Sequence, residues 1–366
     1  MSQSNQMAHP GEHPGGHYEP PIDLAHLSLL DEQIDENILG TPGYTPSDLV
    51  ELTGWTLDEL NDIFIWSGLP NVSASDVAYN PSDREGLILL KQGADREGLS
   101  HDEIGTLIRS ISFAMAKLAT SEIESLVYRL TKRGMSDTAA RLRVAEYAPS
   151  QVESSIELMD VLWRRHFAAA IHRLTTGALL LRGVSDDDQQ FPLMCAVGLA
   201  RVVDFASVTA NFGAADYIRF VQDFNDRIAD IVIAQGGRII KLNGDLVLWV
   251  TAQAEASADI ALELTKLDLP GYSLELQQAV TWCRIVAIHG HIFGPGVNLV
   301  NHLALLAPPG SVLLDDAAVN QLRQNPRFQF AVQPLLDVKG VGEVQPALLS
   351  EVLPADETRG GKQNSA

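Results

Sequence analysis

The chain has 366 residues and a formal net charge of −21, with 47 acidic residues against 26 basic. That length accommodates two domains and a substantial core, and the deficit of Lys and Arg argues against nucleic acid or an anionic membrane surface as partner. Cys195 and Cys283 are the only cysteines and both lie in apolar runs, so buried reduced thiols are expected and no disulfide framework. With no signal-peptide core and no span of about twenty apolar residues, the expectation is a soluble cytoplasmic protein.

Residues 1–40 read as a disordered tail, because "HPGEHPGGHYEPP" is too rich in Pro, Gly and polar residues to fold alone. His9, His13 and His17 recur every fourth residue, but the intervening Pro and Gly exclude a helical face. Residues 41–184 read as helical. "TPSDLVELTGWTLDELNDIFIWSGLP" gives two short helices parted by Gly54, the second opened by a capping box of Thr56 and Glu59. Their spacing resembles a helix-turn-helix, yet the second helix carries Asp58, Glu59 and Asp62 and no Lys or Arg. Its exposed face would repel phosphate, so a packing module is expected and no DNA reader. A second capping box, Ser100 with Glu103, starts a long helix. A further one runs through "VESSIELMDVLWRRHFAAAIHRLTTGALLL", whose apolar content exceeds one narrow stripe and calls for cover by other helices or a second subunit. Residues 185–191 read as a linker.

From 192 to 353 strands and helices alternate. "LMCAVGLARVVDFASV" is expected as a strand, "AADYIRFVQDFNDRIADIVIAQGG" as an amphipathic helix stopped by Gly236-Gly237, and "GGRIIKLNGDLVLWVTA" as a hairpin. A two-residue loop at Asn243-Gly244 would pair Leu242 with Asp245 and Lys241 with Leu246, and strand alternation would send Lys241 and Asp245 to opposite faces. Each charge then needs a separate partner, or water. A helix over 253–267, a strand through "LQQAVTWCRIVAIHGHIF", a helix through "GVNLVNHLALLA" and further short elements complete the domain. The interleaving implies an α+β domain with a largely antiparallel sheet. Residues 354–366 read as a polar tail.

The order and wording of four segments resemble the class III nucleotide cyclase catalytic domain. They are Leu199-Ala200-Arg201-Val202-Val203-Asp204-Phe205-Ala206, Lys241-Leu242-Asn243-Gly244-Asp245, His291-Ile292-Phe293-Gly294-Pro295-Gly296-Val297-Asn298 followed by His302, and Val338-Lys339-Gly340-Val341-Gly342. The helical first half is similar, more loosely, to the regulatory domain that precedes the cyclase domain in some actinobacterial members. The resemblance implies an all-helical N-terminal domain followed by a ferredoxin-like βαββαβ core. It also implies conversion of ATP or GTP to the 3′,5′-cyclic nucleotide and pyrophosphate at a dimer interface, with two Mg²⁺ or Mn²⁺ ions.

By that resemblance Asp245 is a metal-binding carboxylate, Lys241 contacts the purine and Asn298 orients the ribose. Three positions depart from the family pattern. Arg201 stands where the first metal aspartate is expected, and a cation there repels Mg²⁺. Asp204, three residues on, would face the other side of a continuous strand. His291 replaces the aspartate that selects adenine with Lys241, and His302 replaces the arginine that stabilises charge on the transferring phosphate. His289, His291 and His302 would converge near the phosphate and base positions. The expectation is therefore a dimeric signalling protein of adenylate cyclase type with catalysis lost or weak, a pseudo-cyclase binding a ligand such as a nucleoside triphosphate. Two alternatives stand beside it: an active adenylate cyclase with unconventional residues, and a regulatory subunit paired with another cyclase.

Overall fold

The computed structural model describes residues 34–69, 72–180 and 192–352, and the side chains of 176–180 are not among those described. The histidines of the N-terminal tail, the linker at 185–191 and the C-terminal tail at 354–366 lie outside the described residues. Residues 34–39, within the segment read as a tail, are helical. The chain divides into two compact units, Met1–Phe167 and Ala168–Ala366. Among the described residues no helix is long and apolar enough to cross a membrane.

The first unit is built from helices, most of them begun by a local hydrogen-bond signal. They are α1 (Pro46–Thr53), α2 (Leu57–Trp66), α3 (Pro81–Glu97), α4 (His101–Lys132) and α5 (Asp137–Tyr147), with α6 (Val152–Leu180) running on from this unit. Thr45 with Asp48, Thr56 with Glu59, Asn80 with Asp83 and Ser100 with Glu103 each form a reciprocal capping box. Each box satisfies two backbone N–H groups that a helix start leaves open. Leu49, Trp55, Leu60, Ile63, Phe64 and Leu87 form the core with Ile104 and Ile108 of α4. The exposed carboxylate of Asp62 on α2 meets His101 Nε2 at 2.8 Å.

The second unit is an α+β domain. Its strands are β1 (Leu193–Val202), β2 (Arg238–Leu242), β3 (Leu246–Thr251), β4 (Leu276–Ile288), β5 (His291–Phe293), β6 (Ser311–Leu314), β7 (Phe328–Val332), β8 (Leu336–Val338), β9 (Gly342–Val344) and β10 (Ala347–Glu351). Its helices are α7 (Phe205–Thr209), α8 (Ala214–Ala234), α9 (Ala254–Thr265), α10 (Pro295–Leu306) and α11 (Asp316–Leu322). The main sheet runs β2-β3-β1-β4-β6-β10-β7, and β5 hangs on β4. Within it β1, α8, β2, β3, α9 and β4 form the expected βαββαβ core, with β1 antiparallel to both β3 and β4.

Strand alternation sorts β1 between two apolar layers. Ala196, Ala200 and Val202 face α8, α9 and α11, while Cys195, Val197 and Leu199 face α10 and the β8–β9 ribbon. Gly198 is required where it stands, since a Cβ there would lie 2.2 Å from the Trp249 ring. That ring is fully buried, and its Nε1–H donates to the Ser257 hydroxyl at 2.9 Å.

The structure corrects two expectations. The first strand ends at Val202: Asp204 takes the left-handed conformation at φ 47° and opens α7 at Phe205. Alternation therefore does not govern Asp204, which is exposed past the strand end. The hairpin register also differs, because Leu242 pairs with Val247 and Lys241 with Leu248. Asn243 N–H donates to the Leu246 carbonyl at 3.0 Å, so the two-residue loop is Gly244-Asp245 and not Asn243-Gly244. The cause lies on α8. Asn225 Oδ1 accepts from Gly244 N–H at 3.1 Å, and Val221 packs so closely that a Cβ on Gly244 would meet it at 2.8 Å. Gly244, at φ 76°, takes the first central position, where the turn needs a positive φ.

Candidate active site

The β2–β3 turn and the end of β1 form the centre of the candidate site. Val202 N–H donates to the Asp245 carbonyl at 2.8 Å, tying the turn to the strand end that carries Arg201. Arg201 is half-buried and paired with Leu246 on one side and Gln277 on the other. By alternation it continues the Cys195, Val197, Leu199 face and so points to the α10 side of the sheet.

Lys241 shares that side. It lies opposite Leu248, which lies opposite Leu199, so its side chain and that of Arg201 emerge from one face. Two strand spacings and two residues along the strand separate their Cα atoms by roughly 12 Å. Lys241 is exposed. Asp245 is half-buried in the turn, where alternation does not fix its side chain, and the expected opposite-face relation to Lys241 loses its basis. Among the described residues, no ion pair joins Arg201 to Asp245.

The remaining candidates sit on β5 and α10. His289 and Gly290, at φ 50° and 81°, form the two-residue turn of the β4–β5 hairpin, in which Ile288 pairs with His291. His291 is exposed on β5. Asn298 and His302 are one helical turn apart and both exposed, while Leu299, Val300, Leu303 and Ala304 bury the other side of α10 against the sheet. The structure thus puts Asn298 and His302 on one helix face and Arg201 beside the Asp245 turn.

Three residues outside the sequence expectations stand out in this domain. Asn225 holds the turn through Gly244 N–H. Asp315, buried at the start of α11, accepts from Trp282 N–H of β4 at 3.2 Å and from Ala318 N–H at 2.8 Å. Burial pushes its carboxyl up to about 7, with those hydrogen bonds acting in the opposite direction. Gln278 of β4 is fully buried, and among the described residues neither of its amide atoms has a hydrogen-bond partner. Of the three, Asp315 alone had a local signal, an Asp ahead of a short helical run.

The family metals are carried by carboxylates. Among the described residues no three His, Cys, Asp or Glu side chains come together in a way that would hold a metal ion. By the family pattern Asp245 is the carboxylate at one expected metal position, and Arg201 stands at the other. A cation in that place neutralises the field that would draw a divalent ion. The residues present do not fit a two-metal centre.

The sheet, its hairpin and α10 define a cyclase-like α+β domain. No family model matches the chain. It is 33% identical over 294 residues to an adenylate cyclase of Glutamicibacter nicotianae, covering 77% of this chain and 72% of that protein. An adenylate cyclase of Streptomyces coelicolor is 28% identical over 272 residues, 66% of this chain and 69% of the other. An uncharacterized protein of Mycobacterium tuberculosis is 28% identical over 320 residues, covering 77% and 80%. Among solved structures, the adenylyl cyclase CyaB of P. aeruginosa aligns at a TM-score of 0.39 and 16% identity, covering 44% of this chain and 95% of that one. The chain belongs to the class III adenylate cyclase family.

Proposed function

We propose that this chain is a dimeric, catalytically impaired member of the family, a pseudo-cyclase that binds a nucleoside triphosphate or a related polyanion and serves a regulatory role in signalling. The observation that carries the reading is Arg201 at the end of β1, on the strand bonded to the Asp245 turn. In this reading Lys241 contacts the base and Asn298 orients the ribose. Asp245 remains without its metal partner, while His291 and His302 stand in for the usual aspartate and arginine. The three changes would recur at both sites of a homodimer.

The relative named adenylate cyclase at 33% identity favours a second reading, formation of cyclic AMP from ATP with unconventional residues. One assay separates the two. Purified full chain is incubated with ATP and with GTP under Mg²⁺ and under Mn²⁺, beside calorimetric titration of each nucleotide. The expected result is no metal-dependent cyclic nucleotide above background. Robust turnover by the wild type overturns the pseudo-cyclase reading.

A further inference from the structure

The chain's two cysteines, Cys195 on β1 and Cys283 on β4, stand directly opposite one another in the β1–β4 register. Both are free thiols. Opposed residues of an antiparallel ladder share a face, and both sulfurs belong to the apolar layer on the α10 side. Val203 N–H donates to the Glu275 carbonyl at 2.9 Å, and the two-residue alternation of the ladder then makes Cys195 and Cys283 a hydrogen-bonded pair. Such pairs hold their Cα atoms about 5.5 Å apart, inside the range of about 4.4–6.8 Å that a disulfide spans. Opposed Cβ atoms stand about 4.5–5.5 Å apart, against about 3.5–4.5 Å in a disulfide, so the strands need to draw together by roughly 1 Å.

The surroundings give the two thiols different parts. Cys195 is buried, whereas Cys283 is half-buried beneath the first turn of α10. A Cβ on Gly296 would lie 2.2 Å from the Cys283 sulfur, so that sulfur fills the space this glycine leaves. Burial pushes the Cys195 thiol up to about 12, with Arg238 acting in the opposite direction. Burial likewise pushes Cys283 up to about 11, opposed by the hydrogen bond to Thr281. Both rest as neutral thiols, and Cys283, the more accessible and more acidic, meets a small oxidant first. We infer that this pair is a modification site for hydrogen peroxide, at which Cys195 and Cys283 close as an intrachain disulfide. The Cys283 sulfur, as thiolate, attacks one peroxide oxygen; the O–O bond breaks, hydroxide leaves and takes up the thiol proton as water, and a sulfenic acid remains. The Cys195 sulfur then attacks the Cys283 sulfur, forming the S–S bond and breaking the S–O bond, and its proton leaves with the hydroxide as a second water. Two electrons pass from the two sulfurs to one peroxide. Closure turns the Cys283 sulfur toward β1 and away from Gly296, so oxidation reaches the helix that carries Asn298 and His302. The site does not rest on the pseudo-cyclase reading.

Titration of the reduced full chain with hydrogen peroxide tests it. Free thiols, counted after unfolding in denaturant, are expected to fall at least tenfold, while the intact mass drops by two hydrogens and a non-reducing gel shows single chains. Dithiothreitol should return both thiols. Cys195→Ser removes the sulfur that resolves the sulfenic acid, so dimedone should label Cys283 in that variant at least tenfold more than in the wild type. Thiols that persist in the oxidised wild type, linkage between chains in place of linkage within one, or equal dimedone labelling of wild type and Cys195→Ser overturns the proposal. The thiol count and the mass are read on the wild type, so they decide the matter even if Cys195→Ser folds poorly. No nucleotide enters the readout, and the pseudo-cyclase reading stands or falls on its own assay.

Discussion

Val202 and Asp245 are joined by a 2.8 Å hydrogen bond from the Val202 N–H to the Asp245 carbonyl. The strand end carrying Arg201 and the turn carrying Asp245 are therefore tied together. A carboxylate restored at position 201 would enter a place already fixed relative to Asp245. In the proposed reading it would still lack the permanent cation that arginine supplies to a transferring phosphoryl group, because His302 stands in for that arginine. Arg201→Asp alone is expected to leave Mn²⁺-dependent cyclic AMP formation about 10²–10³-fold below that of the triple variant R201D/H291D/H302R. Wild-type protein as fast as the triple variant would show that the three departures do not disable the site.

The turn itself depends on α8. Gly244 N–H is half-shielded and finds its acceptor in Asn225, so Asn225→Ala leaves that donor without a protein partner. The expected cost is about 1–2 kcal/mol of unfolding free energy, read from denaturant midpoints. Gly244→Ala adds a Cβ 2.8 Å from Val221 at a φ of 76°, and is expected to cost more than Asn225→Ala. Equal stability of Gly244→Ala and wild type would mean that the contact with Val221 does not set the hairpin register.

That register marks the boundary of what the sequence alone reveals. The capping boxes at Thr56 and Ser100 are readable because every participating atom lies within four residues. The hairpin is readable as an element from its β-branched runs, yet its loop is chosen by Asn225 and Val221, which lie about twenty residues upstream. The end of β1 is hidden in a similar way. The apolar alternation continues through Phe205, and nothing local announces the left-handed Asp204. The apolar helix 152–180 is plain from periodicity, and among the described residues Ile156, Trp163 and Phe167 of it stay exposed. For the candidate site, the four motif segments supplied the candidate residues, whereas the common face of Arg201 and Lys241 needed the β1–β3 and β2–β3 registers.

Gln278 provides a test of polar burial in this core. It sits on β4 between Leu276 and Val280, opposite Ala200 of β1 and Val312 of β6, with neither amide atom bonded. A buried amide without partners costs on the order of 1–3 kcal/mol, and methionine matches its length and flexibility without polar hydrogens. Gln278→Met is expected to raise stability by about 1–2 kcal/mol, seen as a higher urea midpoint with an unchanged slope. A lower midpoint would mean that the amide serves a bonding role in the folded state.

Asp315 makes stability depend on pH in an unusual direction for a carboxylate. Burial raises its folded-state value from 3.8 to about 7, so the native state holds a proton that the unfolded chain releases. Between those two values the folded protein binds more protons than the unfolded, and stability falls as pH rises. The contribution is fully present below about 3.8 and is lost as pH climbs through about 7. Each unit of separation corresponds to about 1.4 kcal/mol, so a loss on the order of a few kcal/mol is spread across this window. Asp315→Asn keeps an oxygen to accept from Ala318 and Trp282 while removing the titration. Asp315→Ala loses the cap at every pH, at a cost of about 1 kcal/mol from the helix start alone. Urea unfolding at pH 5, 6.5 and 8 should show a declining midpoint for the wild type and a flatter profile for Asp315→Asn. A wild-type midpoint that declines no more steeply than that of Asp315→Asn would remove Asp315 as the source of the dependence.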